Sequence, residues 1–165
     1  MKKIPLTQNK YALVDSDDYD FLNQWKWFYS NGYAVRYVTL NKEDGGKKNK
    51  IIWMHRVINQ TPDGMHTDHI NNNRADNRKI NLRSCTVSQN RRNVKKTARG
   101  KSEYKGIFSC PNGKWRACLT ITENGKRKSI YFGTHDSQEK AAMAYDDGAI
   151  KYFGEFANLN FKKAA

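Results

Sequence analysis

The chain is short of acid, of proline, of cysteine and of long apolar runs. Against thirty lysines and arginines it sets sixteen aspartates and glutamates. The imbalance leaves a net charge of +14 and points to a polyanionic partner, nucleic acid or an anionic membrane surface. No apolar run is long enough to span a bilayer, which excludes a transmembrane helix among these residues. The chain also opens without a basic-then-apolar signal segment. The expectation is therefore a soluble protein of the cytoplasm, with nucleic acid rather than a membrane as first candidate partner. The three cysteines, Cys85, Cys110 and Cys118, form no C-x-x-C pair, so no structural zinc is expected. An odd count argues against a disulfide framework, and all three read as reduced, small, mostly buried residues.

What remains suffices for a packed core. The sequence is 38% apolar and 12% aromatic over 165 residues, enough for one ordinary domain or two small ones. "KYALVD" and "GYAVRYVTL" read as short strands, rich in β-branched and aromatic residues. Between them a short helix is expected to open at Ser16 or Asp17, with Leu22, Trp25 and Phe28 on one face. Residues 41–50 read as a loop or hairpin tip, 51–59 as strand or helix, and "TPDG" at 61–64 as a turn. The basic, apolar-poor stretch 94–102 reads as a linker, either solvated or lying along phosphates, so the expected domains are 1–93 and 103–161.

Beyond it, "PNGK" and "ENGK" each carry the Asn-Gly hairpin signal and divide 104–135 into three strands. A helix is then expected, with Ser137 as N-cap, Glu139 in the first turn and Gly154 past its end. Ala142, Tyr145, Ala149 and Tyr152 or Phe153 fall on one face, and the alanines let that face lie close to a sheet.

Positive charge is densest around "HTDHINNNRADNRKINLR", since residues 51–97 carry nine basic and three acidic side chains. Cutting a phosphodiester needs a base near neutral pKa, a cation on the phosphate and donors that hold the backbone. Asp68 and His69 are adjacent, so on a strand they face opposite sides and reach one substrate only where the strand bends. The expected local order is strand "MHTDHI", loop "NNNRADNRKI", strand "NLRSCT", then a helix with Thr86 and Gln89 as a capping box.

The run "DHINNNRADNRKINLRSCTVSQN" resembles the HNH endonuclease family, of the phage and intron-borne homing type, over residues 54–93. That resemblance implies a ββα-metal (His-Me finger) module. Asp68 and Asn90 would hold one Mg²⁺ or another divalent ion such as Mn²⁺, His69 would be the general base, and Asn81 would brace the histidine-bearing loop. Arg56, Arg74, Arg78 and Arg83 are phosphate-contact candidates, with a solvated role as the alternative for the last three. His55 reads as structural, and His66, on the strand face of Asp68, as a support for the metal site at most. If the gene is phage-borne, as the resemblance suggests, the compartment is the bacterial host cytoplasm.

"YKGI", "GKWRA", "YFGTH", "EKAAMAYDDGAIKYFG" and "ANLNF" resemble the AP2/ERF DNA-binding domain over 103–161. The resemblance implies a three-stranded antiparallel sheet lying in the major groove of double-stranded DNA with the helix behind it. The implied contacts are Lys105, Lys114, Arg116, Thr120 and Tyr131, the last with packing as its alternative. The sequence departs from the plant pattern at Phe108, Cys110, Asn112, Thr120 and Ser129, so the plant target does not carry over. The expected whole is an α+β, metal-dependent endonuclease that acts as a monomer on double-stranded DNA, with no protein partner implied. The alternative is a regulator that binds DNA without cutting it. An RNA target is disfavoured, because the A-form major groove is too narrow for a sheet.

Overall fold

The computed structural model describes residues 1–41, 47–94, 101–123 and 125–161. The chain divides into two compact units, Met1–Asn90 and Arg91–Ala165. Both are mixed α/β, built on small antiparallel sheets. Among the described residues no helix is long and apolar enough to cross a membrane.

The first unit opens with β1 (Lys2–Pro5) paired to β2 (Tyr11–Val14). Alternation sends Ile4, Ala12 and Val14 inward. α1 (Ser16–Leu22) begins where expected but stops early, so the face of Leu22, Trp25 and Phe28 does not form. Asn23 N–H closes the helix on Tyr19 O, and the indole N–H of Trp27 takes the Leu22 carbonyl at 2.8 Å. Trp27 thereby enters the core, while Phe28 starts β3 (Phe28–Ser30) and stays 39% exposed.

β4 (Tyr33–Asn41) is the centre of a sheet ordered β3-β4-β5, with β5 at Lys47–Trp53. The stretch expected to be loop thus supplies strand from Lys47 onward, and the tip at 42–46 lies outside the described residues. The segment 51–59 is both strand and helix, passing from β5 into α2 (Met54–Asn59) at Met54. Residues 61–64 turn as expected, Met65 N–H bonding Pro62 O, and lead into β6 (His66–His69). β6 pairs with β7 (Leu82–Cys85), and α3 (Val87–Arg92) follows. Thr86 and Gln89 form the reciprocal capping box, Thr86 N–H to Gln89 Oε1 at 2.8 Å and Gln89 N–H to Thr86 Oγ1 at 3.2 Å. The core gathers Ile4, Val14, Leu22, Trp27, Met54 and Leu82.

In the second unit β8 (Ile107–Ser109), β9 (Trp115–Glu123) and β10 (Lys126–His135) form a sheet ordered β10-β9-β8, and α4 (Gln138–Phe153) packs on one face. Ser137 accepts from Lys140 N–H and Gly154 ends the helix, as the sequence predicts. Close packing depends on two glycines. A Cβ on Gly148 would sit 2.2 Å from the Phe132 ring. A Cβ on Gly106, at φ +76°, would sit 2.1 Å from Tyr145. The closing "ANLNF" is pinned by the buried Asp146 carboxylate, which accepts N–H groups of Asn160 at 2.8 Å and Phe161 at 2.9 Å. The middle of the expected linker, 95–100, lies outside the described residues, whereas Asn93 is buried and accepts from the Asn158 amide. Cys85 is buried, but Cys110 and Cys118 are only half-buried, so the expectation of burial fails for those two.

Candidate active site and nucleic-acid interface

The Asp68-His69 pair ends β6, and both side chains are buried at 5% exposure. Between β6 and β7 the chain makes a long loop whose ends are tied by Ile70 N–H to Asn81 O at 2.9 Å. Asn81 also works from inside the loop. Its Oδ1 accepts from Asn71 N–H at 2.9 Å and its Nδ2–H donates to Asp76 O at 2.7 Å. β2 backs the same loop, with Leu13 N–H on Ala75 O and Asn77 N–H on Leu13 O, both at 2.8 Å. Asp15 adds a bond from Lys79 N–H at 2.8 Å. The N-terminal residues therefore hold the loop that follows the pair.

His69 Nε2 lies 3.3 Å from Asn77 Oδ1. The Asn77 amide is fixed in rotation because its Nδ2–H donates to Ala75 O at 3.2 Å. An amide oxygen only accepts, so this contact favours the tautomer with the proton on Nε2. Burial pushes the His69 pKa down, against the opposing pull of the Asn77 bond and of Asp68 and Asp76, so the ring is neutral at pH 7. The His55 ring meets it edge-on at 5.1 Å between centroids, and Tyr33 stands 5.9 Å from it. His55 is buried with no partner on Nδ1, and desolvation lowers its pKa to about 3.

Asp68 is held by Arg83, whose Nε and Nη2 reach one carboxylate oxygen at 2.9 and 2.7 Å. Asn90 sits in α3 and lines a cleft of about 460 Å³ with Tyr33, Trp53, His55 and His66. Among the described residues no three His, Cys, Asp or Glu side chains converge as a metal cage. Asp68 and His69 are not among the residues that line this cleft, though a carboxylate and an amide oxygen are donor types that suit a hard cation keeping positions for phosphate and water.

The four arginines expected on phosphates all have partners inside the fold. Arg56 donates to Met65 O at 2.8 Å and so fastens the 61–65 turn. Arg83 pairs with Asp68 at 13% side-chain exposure. Arg78 forks onto the buried Asp76 at 2.7 Å but keeps a third of its side chain exposed. Arg74 is exposed, lies over the Tyr33 ring and donates to Asn31 O at 3.0 Å. Sequence reasoning missed Asp76 and Asn77. Their one signal was a lone acid inside a cationic, asparagine-rich run.

In the second unit β9 alternates. Ala117 and Leu119 turn to α4, while Arg116, Cys118 and Thr120 turn to the outer face. Tyr131 pairs with Cys118 and Ser129 with Thr120, so they share that face. Lys114 is exposed and pairs with Asp136 at 3.1 Å. The Lys105 ammonium donates to Arg92 O at 2.9 Å and Val94 O at 2.8 Å, and desolvation lowers its pKa to about 8.

Residues 51–92 match the model of the HNH endonuclease family, and residues 102–155 match the AP2 domain. The chain is similar to an uncharacterised HNH endonuclease of Acanthamoeba polyphaga mimivirus, 30% identical over 153 residues, which span 91% of this chain and 74% of that protein. Its C-terminal part is similar to an ethylene-responsive transcription factor of Arabidopsis thaliana, 39% identical over 69 residues, 40% of this chain and 43% of that one. It is also similar to an AP2/ERF and B3 domain-containing protein of Oryza sativa, 43% identical over 68 residues, 41% of this chain and 18% of that one. The match spans less than half the length of either plant protein.

Proposed function

The chain belongs to the HNH endonuclease family and carries an AP2 domain, and from that premise we propose a homing-type endonuclease that cuts double-stranded DNA with a divalent metal ion. The Asn77-fixed His69 ring carries this reading. The ring is neutral at neutral pH and takes the proton of a water whose oxygen attacks phosphorus in line. The leaving group is the 3′-oxygen, so the products are a 5′-phosphate and a 3′-hydroxyl. Asp68 and Asn90 would hold the ion, magnesium or manganese, which when bound neutralises charge on the phosphate and the leaving oxygen. Asn81 keeps the loop, and with it the His69 ring, in register. Arg74 and Arg78 are the proposed phosphate contacts of this unit, and Lys114, Arg116, Thr120 and Tyr131 those of the second.

We place the outer face of the β8-β9-β10 sheet in the major groove. Three strands at about 4.8 Å spacing make a slab roughly 10 Å across, against a groove about 12 Å wide. One centre per chain cuts one strand per encounter, so a monomer converts supercoiled plasmid to open circles. The test is plasmid cleavage with Mg²⁺ or Mn²⁺ and with EDTA. Metal-dependent open circles support the proposal. Tight binding of the same DNA with no cutting in either metal contradicts it and favours a regulator.

A further inference from the structure

The outer face of the β8-β9-β10 sheet carries little that reads guanine. It forms a concavity of about 630 Å³ whose floor is Phe108, Cys110, Cys118, Thr120, Ser129 and Tyr131. Arg116 is the one charged side chain in the lining, and it lies 5.8 Å from the Phe108 ring. The Tyr131 hydroxyl is bonded to Thr134 Oγ1 at 2.6 Å, so Tyr131 presents mainly its ring. Phe108 and Tyr131 are exposed at 50% and 57%. The other basic residues stand at the ends of the hairpins. Lys114 closes the β8-β9 turn, and Lys126, Arg127 and Lys128 begin β10. Arg127, paired with Thr122, shares the outer face with Ser129 but stands at its hairpin end, so charge is concentrated at the rim of the face.

Base edges are told apart by what faces them. A bidentate arginine or lysine selects guanine, whereas phenylalanine and the threonine methyl select the C5-methyl of thymine. A thiol behaves as a small apolar group. We propose that this face reads an A·T-rich major groove through thymine methyl groups, with one guanine contact from Arg116 and the hairpin-end cations on the flanking phosphates. The inference rests on the reading of the second unit as a DNA binder and names the base class that it selects. Each methyl removed from water against such a surface changes affinity about fourfold.

The experiment selects duplexes from a random pool with the whole chain in EDTA, so that nothing is cut. The thymines of the selected site are then replaced by deoxyuridine, which removes only the methyl. The expected result is a selected core rich in A·T, with affinity falling about fourfold per contacted thymine and little changed by deoxyuridine outside the core. In Phe108→Ala and Thr120→Ser the deoxyuridine penalty should shrink. A G·C-rich core overturns the proposal, and so does an A·T-rich core indifferent to deoxyuridine, which is read by shape. Both outcomes leave DNA binding intact. Failure to enrich any sequence overturns the proposal together with the reading beneath it.

Discussion

Asn81→Asp exchanges one donor for one acceptor inside a buried loop. The native side chain accepts from Asn71 N–H and donates to Asp76 O at 2.7 Å. An aspartate keeps the first bond and turns an anionic oxygen toward the Asp76 carbonyl. A buried acceptor left unsatisfied costs about 1–3 kcal/mol, and the added charge raises the deficit to about 2–4 kcal/mol at pH 7.5. The folded-state pKa of the introduced carboxyl is raised above its unfolded value near 3.9, because only the protonated acid donates to the carbonyl. Stability from that bond is complete below the unfolded pKa and lost as pH rises through the folded one. The difference between variant and native protein should therefore shrink on going from pH 7.5 to pH 5. Urea unfolding read by tryptophan fluorescence suits the test, since Trp25, Trp27 and Trp53 all lie in the first unit. A deficit under about 0.5 kcal/mol, or one independent of pH, would refute the bracing role argued for Asn81.

Three more outcomes follow from the packing. His55 is held neutral with a pKa of about 3, so its contribution is complete above pH 6.5 and lost as pH falls toward 3. The unfolding free energy of the first unit from urea titration should drop over that window by up to about 1.4 kcal/mol per pH unit, and His55→Phe should flatten but not abolish the slope, because His69 shifts the same way. Arg83→Met leaves the buried Asp68 without its guanidinium and should cost about 3–5 kcal/mol in the same assay. Gly148→Ala drives a methyl into the Phe132 ring and should cost about 1–3 kcal/mol in the second unit, read by thermal unfolding at Trp115.

How far the sequence speaks depends on how local the physics is. The capping box at Thr86, the Ser137 N-cap and the two Asn-Gly hairpins are set by neighbours within a few residues, and each was legible. The early end of α1 was not, because the Trp27 indole takes a helix carbonyl that no periodicity anticipates. In the site, Asp68, His69 and Asn81 stand out by residue type and spacing. The backing of their loop by Leu13 and Asp15 joins residues some sixty positions apart, and nothing in the local pattern marks it. The arginines read as phosphate ligands because charge is visible in a sequence, while the carbonyls and carboxylates that engage Arg56 and Arg83 are visible only in three dimensions.

The most direct test of the central claim is the pH dependence of supercoiled DNA cleavage by the native protein beside His69→Ala, with DNA affinity measured in EDTA. The account predicts metal-dependent cutting that is flat at and above neutral pH and falls only in acid, as His69, its pKa held below the ordinary histidine value by burial, takes a proton. In His69→Ala cutting should be lost while affinity stays within about threefold, less than the tenfold that 1.4 kcal/mol represents. A His69→Ala protein that still cuts at the native rate would contradict the assignment of His69 as the base.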